Sequence, residues 1–339
     1  MIKKTLYFII VLAGLIIASY FLQPIKKGKG LDTTKYELVK NWLDLPKILK
    51  LGNPTGIGID TNQNIVVFQR ADREWSLFGS MPDKPIKSKT ILIIDKDNGK
   101  LLENWGDNLF IMPHGLTVDN ENNVWLTDVG LHQIFKFSHD GKLLMKLGEA
   151  KVSGNDSSHF NKPTDIAIAK DGSFYVSDGY GNSRIIKFSA AGKYLLEWGK
   201  KGDKENEFNI PHGISLDSNG NVYVADRENN RVQVFDPKGK FIKQFADNTF
   251  GAICSVAFDK TQSKLFAVDD FTFLKVKHRG SDVFVLDRTG KVHTRFGRSG
   301  SYQGNISWYH DLTVDKDENI YVGDILGNSI QKFKKVSNR

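Results

Sequence analysis

After residue 50 the apolar positions fall into short alternating runs, the period of strands with one face in a core rather than that of amphipathic helices. One phrase recurs. A polar or small residue opens an apolar run that usually ends at Asp, and a turn leads to a second run rich in aromatic and β-branched residues. The copies are PTGIGID at residues 54–60, PHGLTVD at 113–119, PTDIAIA at 163–169, PHGISLD at 211–217, ICSVAFD at 253–259 and YHDLTVD at 309–315. Their second residues, Thr55, His114, Thr164, His212, Cys254 and His310, are spaced by 59, 50, 48, 42 and 56 residues. That spacing suits a four-stranded propeller blade with variable loops, so six such anchors predict six blades.

Second strands are predicted at 123–128 (NVWLTD), 173–178 (SFYVSD), 221–226 (NVYVAD) and 319–324 (NIYVGD). Third strands follow at 133–137 and 231–235, and fourth strands at 142–147, 194–198 and 292–296, joined by DGK, AGK, KGK and TGK turns. In the sixth blade residues 329–334 serve as a third strand and little chain is left for a fourth. Residues 36–42 resemble the missing outer strand, and pairing them there would remove an exposed edge. The expected fold is all-β, a six-bladed β-propeller of NHL-type repeats closed by an N-terminal strand.

One apolar run does not fit the repeat. Residues 6–22 are almost wholly apolar, preceded by Lys3 and Lys4 and followed by Lys26, Lys27 and Lys29, with no small-residue cleavage pattern. Its 17 residues reach the lower limit for a spanning helix and exceed a usual signal-peptide core. The expectation is one hydrophobic helix, a signal anchor and linker over residues 1–30, with the propeller domain over 31–339. The propeller would then lie outside the cytoplasm, membrane-anchored, or secreted or periplasmic if the leader is cleaved. The net charge of +8 is spread through the chain rather than gathered in an aromatic-basic array, which argues against nucleic acid as a partner. A single cysteine, Cys254, excludes intrachain disulfides and cysteine-rich zinc modules.

In a blade the anchor and the residues just after strand two lie at the same end, because those strands are antiparallel. The repeat alignment therefore maps one face of the central channel. His114, His212 and His310 occupy alternate anchors, which places them at threefold spacing around one axis. Three neutral imidazoles with a fourth position open are the donor set of a catalytic zinc. His132, His139, His159, His278 and His293 lie off this register. Arg70 and Arg227 follow strand two in blades one and four, on opposite sides of the mouth, where they could clamp an anion or pair with Asp72, Asp226 or Glu228. Tyr180 lies one step further along in blade three, and near zinc and arginines its hydroxyl could be lowered to serve as a base. Asp311 stands where blades one, two and four have glycine, and could hold calcium together with main-chain oxygens.

The stretches VFQRADREW, PHGLTVDNENNVWLTDVGLHQIFKF, FNKPTDIAIAKDGSFYVSDGYGNSRIIKF and FNIPHGISLDSNGNVYVADRENNRVQVF resemble peptidyl-α-hydroxyglycine α-amidating lyases over nearly everything after the leader. The resemblance implies Zn2+ on His114, His212 and His310, substrate contacts from Arg70 and Arg227, and Tyr180 as the base. It also implies a structural Ca2+ held by Asp311 and by the carbonyls of Ile57 and Leu116. The implied reaction splits a peptidyl-α-hydroxyglycine, or a similar carbinolamide, into an amide and glyoxylate. A separate monooxygenase would supply that substrate, since leader and propeller use up the 339 residues. Two features depart from the family: Gly181 stands where animal members have cysteine, and Trp308 and Tyr309 replace a Met-Pro pair, which makes Trp308 a substrate-binding candidate. The alternatives are a non-catalytic anchored propeller that binds a protein or glycan, and a calcium lactonase. A channel dominated by histidine rather than carboxylates argues against the lactonase.

Overall fold

The structure, a computed structural model, describes residues 36–75, 80–247, 249–270, 272–273, 277–278, 281–297 and 307–336. The expected leader, residues 1–30, lies outside the described residues. Among the described residues no helix is long and apolar enough to cross a membrane.

Six four-stranded antiparallel sheets surround one channel. In blade 1 the strands, inner to outer, are Pro54–Ile59, Ile65–Gln69, Ile91–Ile94 and Leu101–Trp105, and blade 2 runs Pro113–Val118, Val124–Asp128, Gln133–Phe137 and Leu143–Leu147. Blade 3 is Asp165–Ile168, Phe174–Asp178, Arg184–Phe188 and Tyr194–Trp198; blade 4 is Pro211–Leu216, Val222–Asp226, Arg231–Phe235 and Phe241–Ala246. Blade 5 is Ala252–Phe258, Lys264–Asp270, Asp282–Asp287 and Val292–Gly297. Blade 6 joins Tyr309–Val314, Ile320–Asp324 and Ser329–Lys335 to the N-terminal strand Tyr36–Leu38, which pairs antiparallel with the last strand. The closing strand is shorter than the 36–42 expected, because Asn41 adopts a left-handed conformation and turns the chain away.

Apolar alternation drives this arrangement. Second strands such as Val222–Asp226 are buried throughout and pack against both neighbouring blades, whereas outer strands such as Phe241–Ala246 bury alternate residues only. The recurring Asp after the inner strand has a local cause: Asp60, Asp119, Asp217 and Asp315 each accept hydrogen bonds from the backbone and side chain of an asparagine four residues on, closing the first turn. A second Asp, at the end of strand two, organises the loops at the channel mouth. Buried Asp128 accepts from the backbone N–H groups of Ile111, Met112, Gly130 and Leu131, and Asp178 and Asp226 accept from Asn161 and Asn209.

Candidate metal centre and active site

His114, His212 and His310 each sit in a β-bulge at the start of an inner strand, where the register shifts against strand two. A bulge re-aims a side chain, here into the axis. The glycine that follows His114 has a steric reason: a Cβ on Gly115 would lie 2.4 Å from the carbonyl oxygen of Thr164, so only glycine lets the two inner strands approach this closely.

The three imidazoles meet on the axis with ring centroids 4.6–4.8 Å apart, and their ligand atoms all lie within 4.8 Å of one another. Each Nδ1 donates to a main-chain carbonyl at 2.7 Å: His114 to Thr164, His212 to Cys254 and His310 to Thr55. The non-histidine anchors of blades 1, 3 and 5 thus hold the histidines of blades 2, 4 and 6. This fixes the tautomer and turns every Nε2 lone pair inward, the orientation that metal-bound imidazoles need. Burial, with nearby cationic groups, holds His114 and His212 well below the ordinary range and His310 down to about 3, so all three are neutral at physiological pH.

Tyr180 reaches this cluster from blade 3, its hydroxyl 3.1 Å from Nε2 of both His114 and His212. One phenolic proton can satisfy only one of these acceptors, and among the described residues no donor reaches Nε2 of His310. Three convergent lone pairs with a single proton among them fit a cation. Burial raises the Tyr180 hydroxyl above its ordinary range, and outweighs the pull of Arg227 and Arg70 in the opposite direction.

Arg70 is 3% exposed; its Nε donates to the Pro113 carbonyl at 3.0 Å and its guanidinium lies 5.4 Å from the centre of the Trp75 ring. It pairs with no carboxylate among the described residues, Asp72 included. Burial pulls it down to about 10, still cationic at neutral pH. Arg227 lies against Trp308, 5.8 Å from the ring centre, with Glu228 at 3.5 Å and Asp270 at 3.9 Å. Its Nε is buried without a hydrogen-bond partner. Asp226 instead binds Arg231 at 2.7 Å. Cys254 is buried, and burial pushes its thiol up to about 12, which leaves it inert.

On the other side of the histidines, Asp311 accepts from Ile57 N–H at 2.7 Å, Ser255 Oγ at 2.6 Å and Leu312 N–H at 2.8 Å. A residue that the sequence reading passed over stands in the opposite blade: Asp165 accepts from Ile214 N–H at 3.0 Å and Ile166 N–H at 2.8 Å. Burial raises Asp311 to about 7, and burial together with Asp311 raises Asp165 well above the carboxylate range. The aligned repeats carried the signal, since Asp165 and Asp311 occupy the same position in blades 3 and 6. Beyond them the channel continues as a polar cavity of about 280 Å3. The off-register histidines serve elsewhere: His132 Nδ1 accepts from Lys162 N–H, and His139, His159 and His293 pair with Asp60, Asp156 and Asp287.

These features define a six-bladed NHL-repeat propeller whose channel presents a three-histidine set suited to a metal ion. The NHL repeat family matches residues 110–137, 160–188 and 208–235. The chain is 32% identical over 324 residues to a probable peptidyl-α-hydroxyglycine α-amidating lyase of Caenorhabditis elegans, covering 92% of this chain and 91% of that protein. It therefore belongs to the peptidyl-α-hydroxyglycine α-amidating lyase family. It is also 35% identical over 301 residues to peptidyl-glycine α-amidating monooxygenase B of Xenopus laevis, covering 84% of this chain and 34% of that protein. The chain thus spans about a third of the length of the monooxygenase relatives it matches. Among solved structures, a virginiamycin B lyase from Staphylococcus aureus superimposes with a TM-score of 0.55 at 14% identity, covering 89% of this chain and 100% of that one. That likeness concerns the fold alone.

Proposed function

We propose that this chain is a lyase that splits peptidyl-α-hydroxyglycine, or a closely similar carbinolamide, into a peptide amide and glyoxylate. The observation that carries the reading is the convergence of three neutral, tautomer-fixed imidazoles with the Tyr180 hydroxyl and two arginines, in a chain of this family. The substrate carboxylate pairs with the terminal nitrogens of Arg70 and Arg227, which brings the carbinol carbon beside Tyr180. Tyr180 Oη takes the carbinol proton; the C–N bond breaks as the C=O of glyoxylate forms, and the nitrogen of the departing amide receives a proton. No water enters the products. Zn2+ held by His114, His212 and His310 would supply a Lewis acid that polarises a substrate oxygen and lowers the neighbouring phenol.

A structural Ca2+ at Asp311, with the carbonyls of Ile57 and Leu116, belongs to the same reading. Supporting it are two half-buried carboxylates, Asp311 and Asp165, that line the same channel, with no cationic side chain paired to either among the described residues. Trp308, stacked on Arg227, would border the peptide side of the substrate. The apolar leader supports an anchored propeller outside the cytoplasm, and a separate monooxygenase would provide the hydroxylated peptide.

Tyr180→Phe tests the role of the hydroxyl. We expect zinc content to be unchanged and kcat for glyoxylate release to fall by about a hundredfold or more. Full turnover in the zinc-loaded variant would remove Tyr180 from the chemistry.

A further inference from the structure

Trp75 lies outside the repeat framework, in the segment of residues 70–90 that joins strands two and three of blade 1. Its indole touches two site residues from different blades. The Arg70 guanidinium carbon is 5.4 Å from the ring centre, and the Tyr180 ring packs against it at 5.1 Å with a 41° tilt. Both Trp75 and Tyr180 rest on the core cluster that contains Ile111 and Met112.

The residues that lead into Trp75 are anchored by hydrogen bonds. Arg73 N–H donates to the Arg70 carbonyl at 2.8 Å, and the Arg73 guanidinium donates to the carbonyls of Lys84 and Ile111 at 3.1 Å. Gln69 Oε1 accepts from Gly52 N–H at 2.7 Å and Ala71 N–H at 2.8 Å. The backbone two residues before Trp75 is thus held in place, and the indole itself packs against the core cluster.

The two arginines are stabilised differently. Arg227 has carboxylates at 3.5 and 3.9 Å as well as an indole face. Arg70 has the Pro113 carbonyl, the Trp75 face and no carboxylate among the described residues. An indole attracts a guanidinium through its ring quadrupole without neutralising it, so the charge stays available to an anionic ligand, whereas a carboxylate would compete for it. The other face of this contact is steric, because the same ring limits where the Tyr180 ring can lie.

We infer that Trp75 is a positioning residue that presents Arg70 to the substrate carboxylate and holds Tyr180 beside the carbinol hydroxyl. The inference rests on the lyase reading for the identity of the substrate. The contact with Arg70 can be tested without that reaction, because any small α-hydroxycarboxylate should report it.

The test uses the zinc-loaded full chain and three measurements: zinc content, glycolate affinity by calorimetry, and kcat and KM for glyoxylate release from a hydroxyglycine-extended peptide. The chains compared are the wild type, Trp75→Phe, Trp75→Leu, Arg70→Gln and the Trp75→Leu/Arg70→Gln double variant. Trp75→Leu should keep one zinc per chain while glycolate binding weakens and kcat falls, each by about tenfold; Trp75→Phe should stay within about threefold of wild type. In the Arg70→Gln background, Trp75→Leu should change glycolate affinity by less than about twofold, since the partner it positions is gone. A wild type that does not bind glycolate, a Trp75→Leu chain with wild-type affinity and turnover, a Trp75→Phe chain as impaired as Trp75→Leu, or independent effects in the double variant would each overturn the inference. The calorimetric cycle decides the Arg70 contact, on which the inference stands or falls, even if the wild type releases no glyoxylate, the result that would count against the lyase reading alone.

Discussion

A buried imidazole without a positive charge of its own is a demand on pH as well as a ligand. Burial lowers His310 to about 3, and His114 and His212 well below their ordinary range, while unfolded histidines titrate near 6.5. The metal-free unfolded chain therefore binds more protons below pH 6.5, so the stability these groups confer is present above 6.5 and is lost as the pH falls toward 3. Asp311 works in the opposite sense: its neutral form is favoured by burial, and its contribution is lost as the pH rises through about 7. Comparing the metal-free wild type with His310→Gln cancels the Asp311 part. Between pH 6.5 and 5 the wild type should lose about 2 kcal/mol more than His310→Gln, measured by denaturant unfolding. Equal losses would mean that the imidazole is not held neutral.

Strands and their junctions explain which parts of the site could be read from the repeats. The histidines stood out because alternate anchors of a six-blade ring converge, and Arg70, Arg227 and Tyr180 because they follow strand two at the same end of their blades. The carbonyls of Thr55, Thr164 and Cys254, which orient the histidines, were invisible because every residue has one and only geometry selects these. Trp75 closes the stretch VFQRADREW, but the repeats give it no role, because it sits in the long segment between strands two and three of blade 1 and has no aligned position in the other blades. Asp165 shares its repeat position with Asp311, and its meaning emerges only when blades 3 and 6 are set opposite each other. The glycine of PHG belongs to this scale too. Gly115→Ala would drive a methyl group into the Thr164 carbonyl, 2.4 Å away, which is the acceptor for His114 Nδ1. We expect a loss of about 1–3 kcal/mol in stability together with weaker zinc binding, read by unfolding and by metal titration. Unchanged zinc affinity would contradict the role given to that carbonyl.

Across the whole molecule, the ring is completed by a strand from the far end of the sequence. Tyr36 is 4% exposed, stacks on Phe296 of blade 5 at 4.9 Å and meets Phe266 edge-on at 6.5 Å, while its strand pairs with Ser329–Lys335 in blade 6. This one ring joins the closing strand to both of the last blades. Tyr36→Ala should destabilise the propeller by about 3–5 kcal/mol, visible as a lower denaturation midpoint, because it removes the apolar part of the closure as well as leaving a cavity. A midpoint within experimental error of wild type would mean that the ring does not depend on this strand. Closure matters to function because the three histidines come from blades 2, 4 and 6, and the Nδ1 acceptor of His310 is the Thr55 carbonyl of blade 1, across the closing seam. In the proposed function this geometry holds a zinc ion for carbinolamide cleavage. The most direct measurement is glyoxylate release from an α-hydroxyglycine-extended peptide by the full chain, before chelation, after chelation and after zinc is restored. Release should disappear with the metal and return with zinc. A folded, zinc-loaded chain that releases no glyoxylate, or release that persists unchanged after the metal is removed, would contradict it.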